Sequence, residues 1–223
     1  MASDAYRALR ARVRDESGVI MVIGDSETGK THLAKLLAED AVTAGRTVAF
    51  VDGDVGASTV GPAACVGLSV LGSSKDMERF HEPDELRFVG SVEPNGVVLP
   101  HVVAVGSLVD IATQRADLVI LDTTNVVSGV VGQTLKYHLA ELTKPSLVVA
   151  LTRGSELEPV IGMLRRFLSV RVAEVPSDDD VVSADPVARS EARAAAFRRD
   201  LGSDPQRWRV QTTVFAPTLP DGF

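Results

Sequence analysis

The chain has 223 residues, 45% of them apolar and 24% charged, with a formal net charge of −7. This globular composition excludes a disordered, collagen-like or coiled-coil chain, and the length suffices to bury a core without metal or disulfide staples. Cys65 is the sole cysteine, which excludes an internal disulfide and a Cys-rich zinc site and points to a reducing compartment. The negative balance excludes coating nucleic acid by bulk charge and leaves room for a local basic site.

The N-terminal stretch mixes Arg7, Arg10, Arg12 and Arg14 with acids and has no apolar core of a targeting signal. The richest apolar stretch, 97–109, is too short to span a bilayer and contains Pro100 and His101, so a soluble cytoplasmic protein without membrane contact is expected. Residues 3–15 predict a short helix capped by Ser3, with Tyr6, Leu9 and Val13 on one face. VIMVI (19–23) is a strand buried on both faces that stops at Gly24. Leu33, Leu36, Leu37 and Ala41 then recur with helical period, and Gly45 stands where a left-handed C-terminal cap belongs. TVAFVD (47–52) is the next buried strand, running into Asp52-Gly53-Asp54. The glycine-rich and polar stretch 55–85 reads as loops with one short helix, and Cys65 within it as a small buried hydrophobe. LRFVG (86–90) predicts a strand, SVEPNG (91–96) a turn, 100–115 a helix and DLVILD (117–122) a third strong buried strand. A helix over 128–143, a strand at 146–151, a helix near 156–168 and a strand at 170–175 complete the alternation. Fully apolar strands alternating with helices specify an α/β fold whose mostly parallel sheet has helices on both faces.

Composition shifts at Pro176. The run at 178–180 reads as a solvated loop, 183–202 as an Arg-rich helix, and the tail as holding one strand near 208–215. Trp208 in that tail is either core or a base-stacking residue.

Gly24-Asp25-Ser26-Glu27-Thr28-Gly29-Lys30-Thr31 fits G-x-x-x-x-G-K-[ST] without a gap, with a buried strand before it and a helix after it. Its glycines let successive backbone N–H groups turn toward phosphate oxygens, and the helix N-terminus adds partial positive charge. Lys30 is expected at the β- and γ-phosphates and the Thr31 hydroxyl on Mg²⁺, while His32, next along the helix, is either near the nucleotide or on the surface. A P-loop defines a nucleotide site and no particular reaction. Asp52, Asp54 and Asp122 end buried strands, where the ligand crevice of a parallel sheet lies. One of them is expected to support Mg²⁺ and another to take the proton of an attacking hydroxyl, unless they serve as loop caps. A guanine-reading N-K-x-D is absent, and LTRGSEL (151–157) stands about where it would fall. Arg189 and Arg193, four apart, share a helix face, followed by Arg198, Arg199, Arg207 and Arg209. Such a helix is either a lid that neutralises phosphate charge or a solvated amphipathic helix with Val187 and Phe197 packed inward.

Five ordered signals over about residues 19–201 resemble the polynucleotide 5′-hydroxyl kinases of the RNA cleavage-and-polyadenylation and ribosomal-RNA-processing type. GDSETGKT is similar to the family's Walker A, and VDGDVGAS to its D-x-D-x-G-Q segment, with Asp54 at the Walker B aspartate. FVGSVEPNG is similar to its F-V-G-s-x-s-P loop, DTTNVVSGVVGQTL to its N-T-x-G-W-x-x-G clasp, and ARSEARAAAFRRDL to its R-x-x-x-R lid. The resemblance implies a single P-loop kinase domain over 1–223, with an N-terminal helix (1–18), a core (19–175), a lid (176–202) and a tail (203–223). It implies transfer of the γ-phosphate of ATP to the 5′-hydroxyl end of RNA or DNA, with protein partners possible. Residues 24–32 would bind ATP, with Lys30 also catalytic. Thr31, Asp54 and Asp122 would serve Mg²⁺, Asp54 would orient or deprotonate the hydroxyl, and Arg189 and Arg193 would close the lid. Thr123, Thr124, Asn125 and Val126 would form the clasp. Val126 replaces the clasp tryptophan, Asn125 its preceding glycine and Ala57 the glutamine; stacking on that tryptophan would be worth about 1–3 kcal/mol per base. Two other readings stand: a small-molecule kinase, favoured by Val126 and the lack of a broad basic surface, and a nucleotide-binding regulatory or scaffold protein, kept open by Val126 and Ala57.

Overall fold

The structure, a computed structural model, describes residues 4–177 and 186–201. The expected Ser3 cap, the loop at 178–180, the tail strand, Arg207, Trp208 and Arg209 lie outside the described residues.

Seven strands form one sheet in the order β4-β3-β2-β5-β1-β6-β7. The apolar runs supply β1 (Gly18–Gly24), β2 (Val48–Gly53), β5 (Leu118–Thr123) and β6 (Leu147–Thr152), which are buried on both faces. β1 pairs in parallel with β5 and β6, β2 with β5, and β6 with β7 (Val172–Pro176). α1 (Asp4–Val13) and α2 (Lys30–Thr43) cover one face, packing on Ile20, Val22 and Phe50. α4 (Val98–Arg115), α5 (Gly129–Thr143) and α6 (Glu158–Met163, continued by a π turn over Leu164–Leu168) cover the other, on Met21, Ile23 and Val51. The alternation of Met21 and Val22 between two cores is the period-2 rule of a strand covered on both sides. Gly45, at φ +82°, takes the left-handed conformation just past α2. No helix among the described residues is long and apolar enough to cross a membrane.

The stretch 55–85 departs from its reading as loops with one short helix. The short helix is present as α3 (Ser74–Glu78), but Cys65–Leu71 forms β3, antiparallel to both β2 and β4 (Glu85–Phe88). The glycine that disguised this strand has a packing cause. A Cβ on Gly67 would lie 2.3 Å from the Val60 carbonyl oxygen, so only glycine lets the incoming loop cross the strand. The sheet is therefore mixed at one edge and parallel elsewhere. Cys65 is buried, as expected.

The register places the carboxyl ends of the parallel strands side by side: Asp52 lies opposite Asp122, and Val22 opposite Asp122 on the other flank. The Arg-rich segment is helical as α7 (Pro186–Leu201), where Phe197 is half-buried but Val187 is exposed, against its inward-packed reading.

Candidate active site

The loop between β1 and α2 is built from its own backbone. Gly24 ends β1, where a Cβ would meet the Thr28 hydroxyl at 2.6 Å and the Leu151 carbonyl at 3.0 Å. Gly29 (φ +85°) caps α2 in the left-handed region, and Glu27 (φ +60°) takes the same region without being glycine. Asp25 is the hub: its carbonyl accepts from Thr28 Oγ1 and Lys30 Nζ, both at 2.9 Å, and its Oδ1 accepts from the Ser26 amide at 2.7 Å. Burial pushes the Lys30 ammonium down from its usual range, against the opposing pull of Asp122, Asp54 and Asp25. His32 is exposed on the first turn of α2. Arg153, just past β6 and exposed, donates to the carbonyls of Ser26 (3.4 Å) and Glu27, so LTRGSEL braces the phosphate loop from outside.

The three strand-end carboxylates have separate tasks. Asp52 is consumed by the chain: it accepts from the amides of Asp54 (2.9 Å), Thr59 and Val60 (3.0 Å) and from the hydroxyls of Ser58 (3.3 Å) and Thr59 (3.1 Å), fixing the turn after β2. Asp54 Oδ1 accepts from the amides of Gly56 (2.9 Å) and Ala57 (3.2 Å), and the residue lines an open cleft. Asp122 Oδ2 accepts from Thr31 Oγ1 at 2.6 Å, while its Oδ1 is buried without a partner. Burial, helped by Asp52, raises the Asp122 carboxyl to about 7. A hydroxyl beside a carboxylate with an orphan oxygen is a hard-oxygen donor set, which fits Mg²⁺ bound through few protein ligands plus phosphate and water. Thr31 and Asp122 are the residues that could hold it, and Asp54 is near enough for its charge to act on the Asp122 carboxyl.

The segment after β5 joins the phosphate loop to the cleft. Asn125 Nδ2 donates to Ser26 Oγ at 2.6 Å, and Thr123 Oγ1 donates to the Val22 carbonyl at 2.8 Å. Of the four expected clasp residues, Thr124, Asn125 and Val126 line the cleft, whereas Thr123 is turned inward as a tie between β5 and β1. The cleft has a volume of about 500 Å³ and is lined by Ser26, Asp54, Ala57, Pro94, Asn95 and Thr124 to Val126. Ala196 of α7 also borders it. Arg189 and Arg193 fall on α7, and their side chains lie outside the described residues.

Two buried residues escaped the sequence reading. His101 on α4 is fully buried and hydrogen-bonds the Gly53 carbonyl through Nε2 at 2.8 Å, between the two acids of the D-x-D. Lys136 on α5 is fully buried beneath the 123–124 segment. The available signal was position: Lys136 falls in the stripe Gly132, Leu135, Leu139, Ala140 and Thr143 that α5 turns inward.

A parallel sheet with a G-x-x-x-x-G-K-T loop at the carboxyl end of its central strand defines a P-loop nucleotide-binding protein. The sequence model described as mRNA cleavage and polyadenylation factor CLP1 P-loop matches residues 24–199, and the chain belongs to that family. A polyribonucleotide 5′-hydroxyl-kinase of Pyrococcus furiosus is 37% identical over 161 residues, covering 70% of this chain and 44% of the relative. The Pyrococcus abyssi counterpart is 35% identical over 147 residues, covering 64% and 40%. Among solved structures, Clp1p in its complex with Pcf11p superposes with a TM-score of 0.69 at 15% identity, over 87% of this chain and 53% of that one. The chain thus spans about half the length of the curated relatives it matches.

Proposed function

We propose that this chain carries the catalytic P-loop unit of an ATP- and Mg²⁺-dependent polynucleotide 5′-hydroxyl kinase, acting on the end of an RNA or DNA strand. One observation carries the reading: Asp54, the phosphate-loop residue Ser26 and the 124–126 segment line a single cleft. A carboxylate, the edge of the phosphate site and a surface for an acceptor therefore meet where in-line transfer needs them. The names of the archaeal relatives support the choice of acceptor.

In this reading residues 24–31 wrap the triphosphate, and Lys30 leaves the Asp25 carbonyl for the β- and γ-phosphates. Mg²⁺, held through Thr31 and Asp122, would supply charge neutralisation on the phosphate oxygens. Asp54 orients the acceptor 5′-hydroxyl and takes its proton. The hydroxyl oxygen bonds to the γ-phosphorus as the bond from that phosphorus to the β–γ bridging oxygen breaks, releasing ADP. Arg189 and Arg193 close over the phosphates from α7, whose Ala196 borders the cleft. A protein partner, such as Pcf11p is for Clp1p, is a further expectation of this reading.

The test is label transfer from γ-labelled ATP to 5′-hydroxyl RNA and DNA oligonucleotides. Lys30→Ala should lower transfer by about 10²-fold or more while the melting profile persists. A folded, nucleotide-binding wild type that labels neither polymer overturns the reading. Asp54→Asn should lower turnover with little effect on ATP affinity, and unchanged turnover would move the base role to Asp122, since Asp52 is already saturated with donors. Arg193→Ala should lower turnover more than ATP affinity, as expected of a group acting on the transition state.

A further inference from the structure

An anionic strand end entering this cleft passes the acids Asp54 and Glu93. Among the described residues lining it there is no Lys or Arg. A buried positive charge sits behind the 123–124 segment. Lys136 is fully buried, and its three N–H donors meet three neutral oxygens: Thr123 Oγ1 at 2.9 Å, the Thr124 carbonyl at 2.6 Å and Thr124 Oγ1 at 3.1 Å. Three acceptors match the ammonium form. None of the three is a carboxylate. Asp54 and Asp122 act on Lys136 only through space, against Lys30 and burial, which together bring it down to about 7. A buried cation without a contacting anion is costly unless an anion arrives with the ligand.

The same hydrogen bonds set the polarity of two hydroxyls. Thr123 gives its proton to the Val22 carbonyl and is spent. Thr124 Oγ1 accepts from Lys136 and, among the described residues, donates to no protein acceptor, yet Thr124 lines the cleft. Thr124 is itself buried, at 1% exposure, so a ligand would have to press onto it from the cleft to take its hydroxyl proton.

We propose that Lys136 is a positioning residue that fixes the Thr124 hydroxyl as a hydrogen-bond donor, backed by buried positive charge, to a phosphodiester oxygen of the acceptor strand. The inference rests on the kinase reading and names what that site recognises: the first internucleotide linkage. This selects a strand end over a free nucleoside and does so without reading the base.

The experiment compares 5′-hydroxyl dinucleotides carrying a native phosphodiester or an uncharged methylphosphonate, with KM for acceptor and for ATP measured separately. Wild type should favour the charged linkage by about tenfold in acceptor KM, the scale of one hydrogen bond to a charged group. Thr124→Val should abolish that preference while moving ATP KM much less, and Thr124→Ser should restore it. Lys136→Met should match Thr124→Val, and the double variant should be no worse than either single one, because both remove the same donor. Unchanged linkage preference in Thr124→Val, or full additivity of the two substitutions, overturns the proposal. Should Lys136→Met fail to fold, the Thr124→Val and Thr124→Ser pair still decides.

A second readout separates this inference from the kinase reading. A fluorescent 5′-hydroxyl oligonucleotide is titrated by anisotropy in the presence of a non-hydrolysable ATP analogue. Wild type that transfers phosphate while Thr124→Val behaves identically overturns the inference and spares the kinase. Wild type that transfers nothing overturns the kinase reading; equal binding by wild type and Thr124→Val, or no binding at all, then overturns this inference as well.

Discussion

At the scale of single residues, the phosphate loop depends on a brace outside it. Glu27 sits at φ +60°, a region that costs a residue with a Cβ about 1–2 kcal/mol. Arg153 donates to the Glu27 and Ser26 carbonyls and so holds the loop in that conformation. Arg153→Ala should weaken nucleotide binding by about three- to tenfold, the effect of losing roughly 1 kcal/mol of preorganisation. Adding Glu27→Gly should recover most of the loss, since glycine reaches the left-handed region without penalty. Titration with a fluorescent nucleotide checks both, and a double variant as weak as Arg153→Ala would show that the brace acts otherwise. His101 makes a second residue-scale prediction. Burial holds it neutral, its pKa lowered to about 4 from 6.5 despite the Gly53 hydrogen bond. The unfolded chain therefore binds a proton that the folded chain refuses between pH 6.5 and about 4. Stability attributable to His101 is full above pH 6.5 and falls as pH drops through that window, by at most about 1.4 kcal/mol per pH unit. His101→Gln, which can still donate to the Gly53 carbonyl, should flatten the acid side of a stability-versus-pH curve from urea unfolding. Parallel curves for the two proteins would rule the histidine out as the cause.

At the scale of elements, what could be read in advance was what burial writes into sequence. β1, β2, β5 and β6 are unbroken apolar runs because both faces are covered, and the phosphate loop was legible because its chemistry demands fixed residue types at fixed spacing. β3 was not legible. Gly67 and Ser69 interrupt its apolar pattern, and Gly67 is required by the Val60 carbonyl, a contact with no local signature. Lys136 carried only the signal of its place in the inward stripe of α5, because a lysine ordinarily reads as an exposed position and its three oxygen partners come from another element. Two helix glycines repeat the lesson. A Cβ on Gly132 would meet the Val127 backbone at 2.5 Å, immediately beside the cleft residue Val126, whereas one on Gly106 of α4 would meet only the end of the half-exposed Leu142 side chain. Gly132→Ala should therefore cost about 1–3 kcal/mol in denaturant unfolding and raise acceptor KM, because backbone must move. Gly106→Ala should be neutral or stabilising: Leu142 can rotate away, and alanine improves helix propensity by about 1 kcal/mol. Equal stability of the two variants would mean that the α5 approach to Val127 is softer than its geometry.

At the scale of the whole molecule, a net charge of −7 and a cleft walled by two acids have to be reconciled with a polyanionic acceptor. On the proposed reading the strand would be gripped at its end and repelled elsewhere. Lys136 behind the clasp supplies one positive charge, and Arg189 and Arg193, on the proposed lid, would supply two more. Each neutralised phosphate of a single strand contributes about 0.7 to the salt slope, so log acceptor affinity against log salt should fall with a slope between about −1 and −2. A surface that tracked a long strand would give a far steeper line. Length gives an independent reading of the same property. A cleft of about 500 Å³ would have room for a terminal nucleotide and its first linkage on that reading. Once that linkage is present, further nucleotides would lie along a chain of net charge −7 and add repulsion rather than contacts. Acceptor KM should then drop from nucleoside to dinucleotide and stay within about threefold from dinucleotide to twenty-mer at 0.15 M salt, where the Debye length is about 8 Å. At lower ionic strength the longer acceptor should become the poorer one as repulsion reaches further. A KM that keeps falling with length would place a continuous basic track on this molecule and overturn the end-gripping account, even if the kinase reaction itself is confirmed.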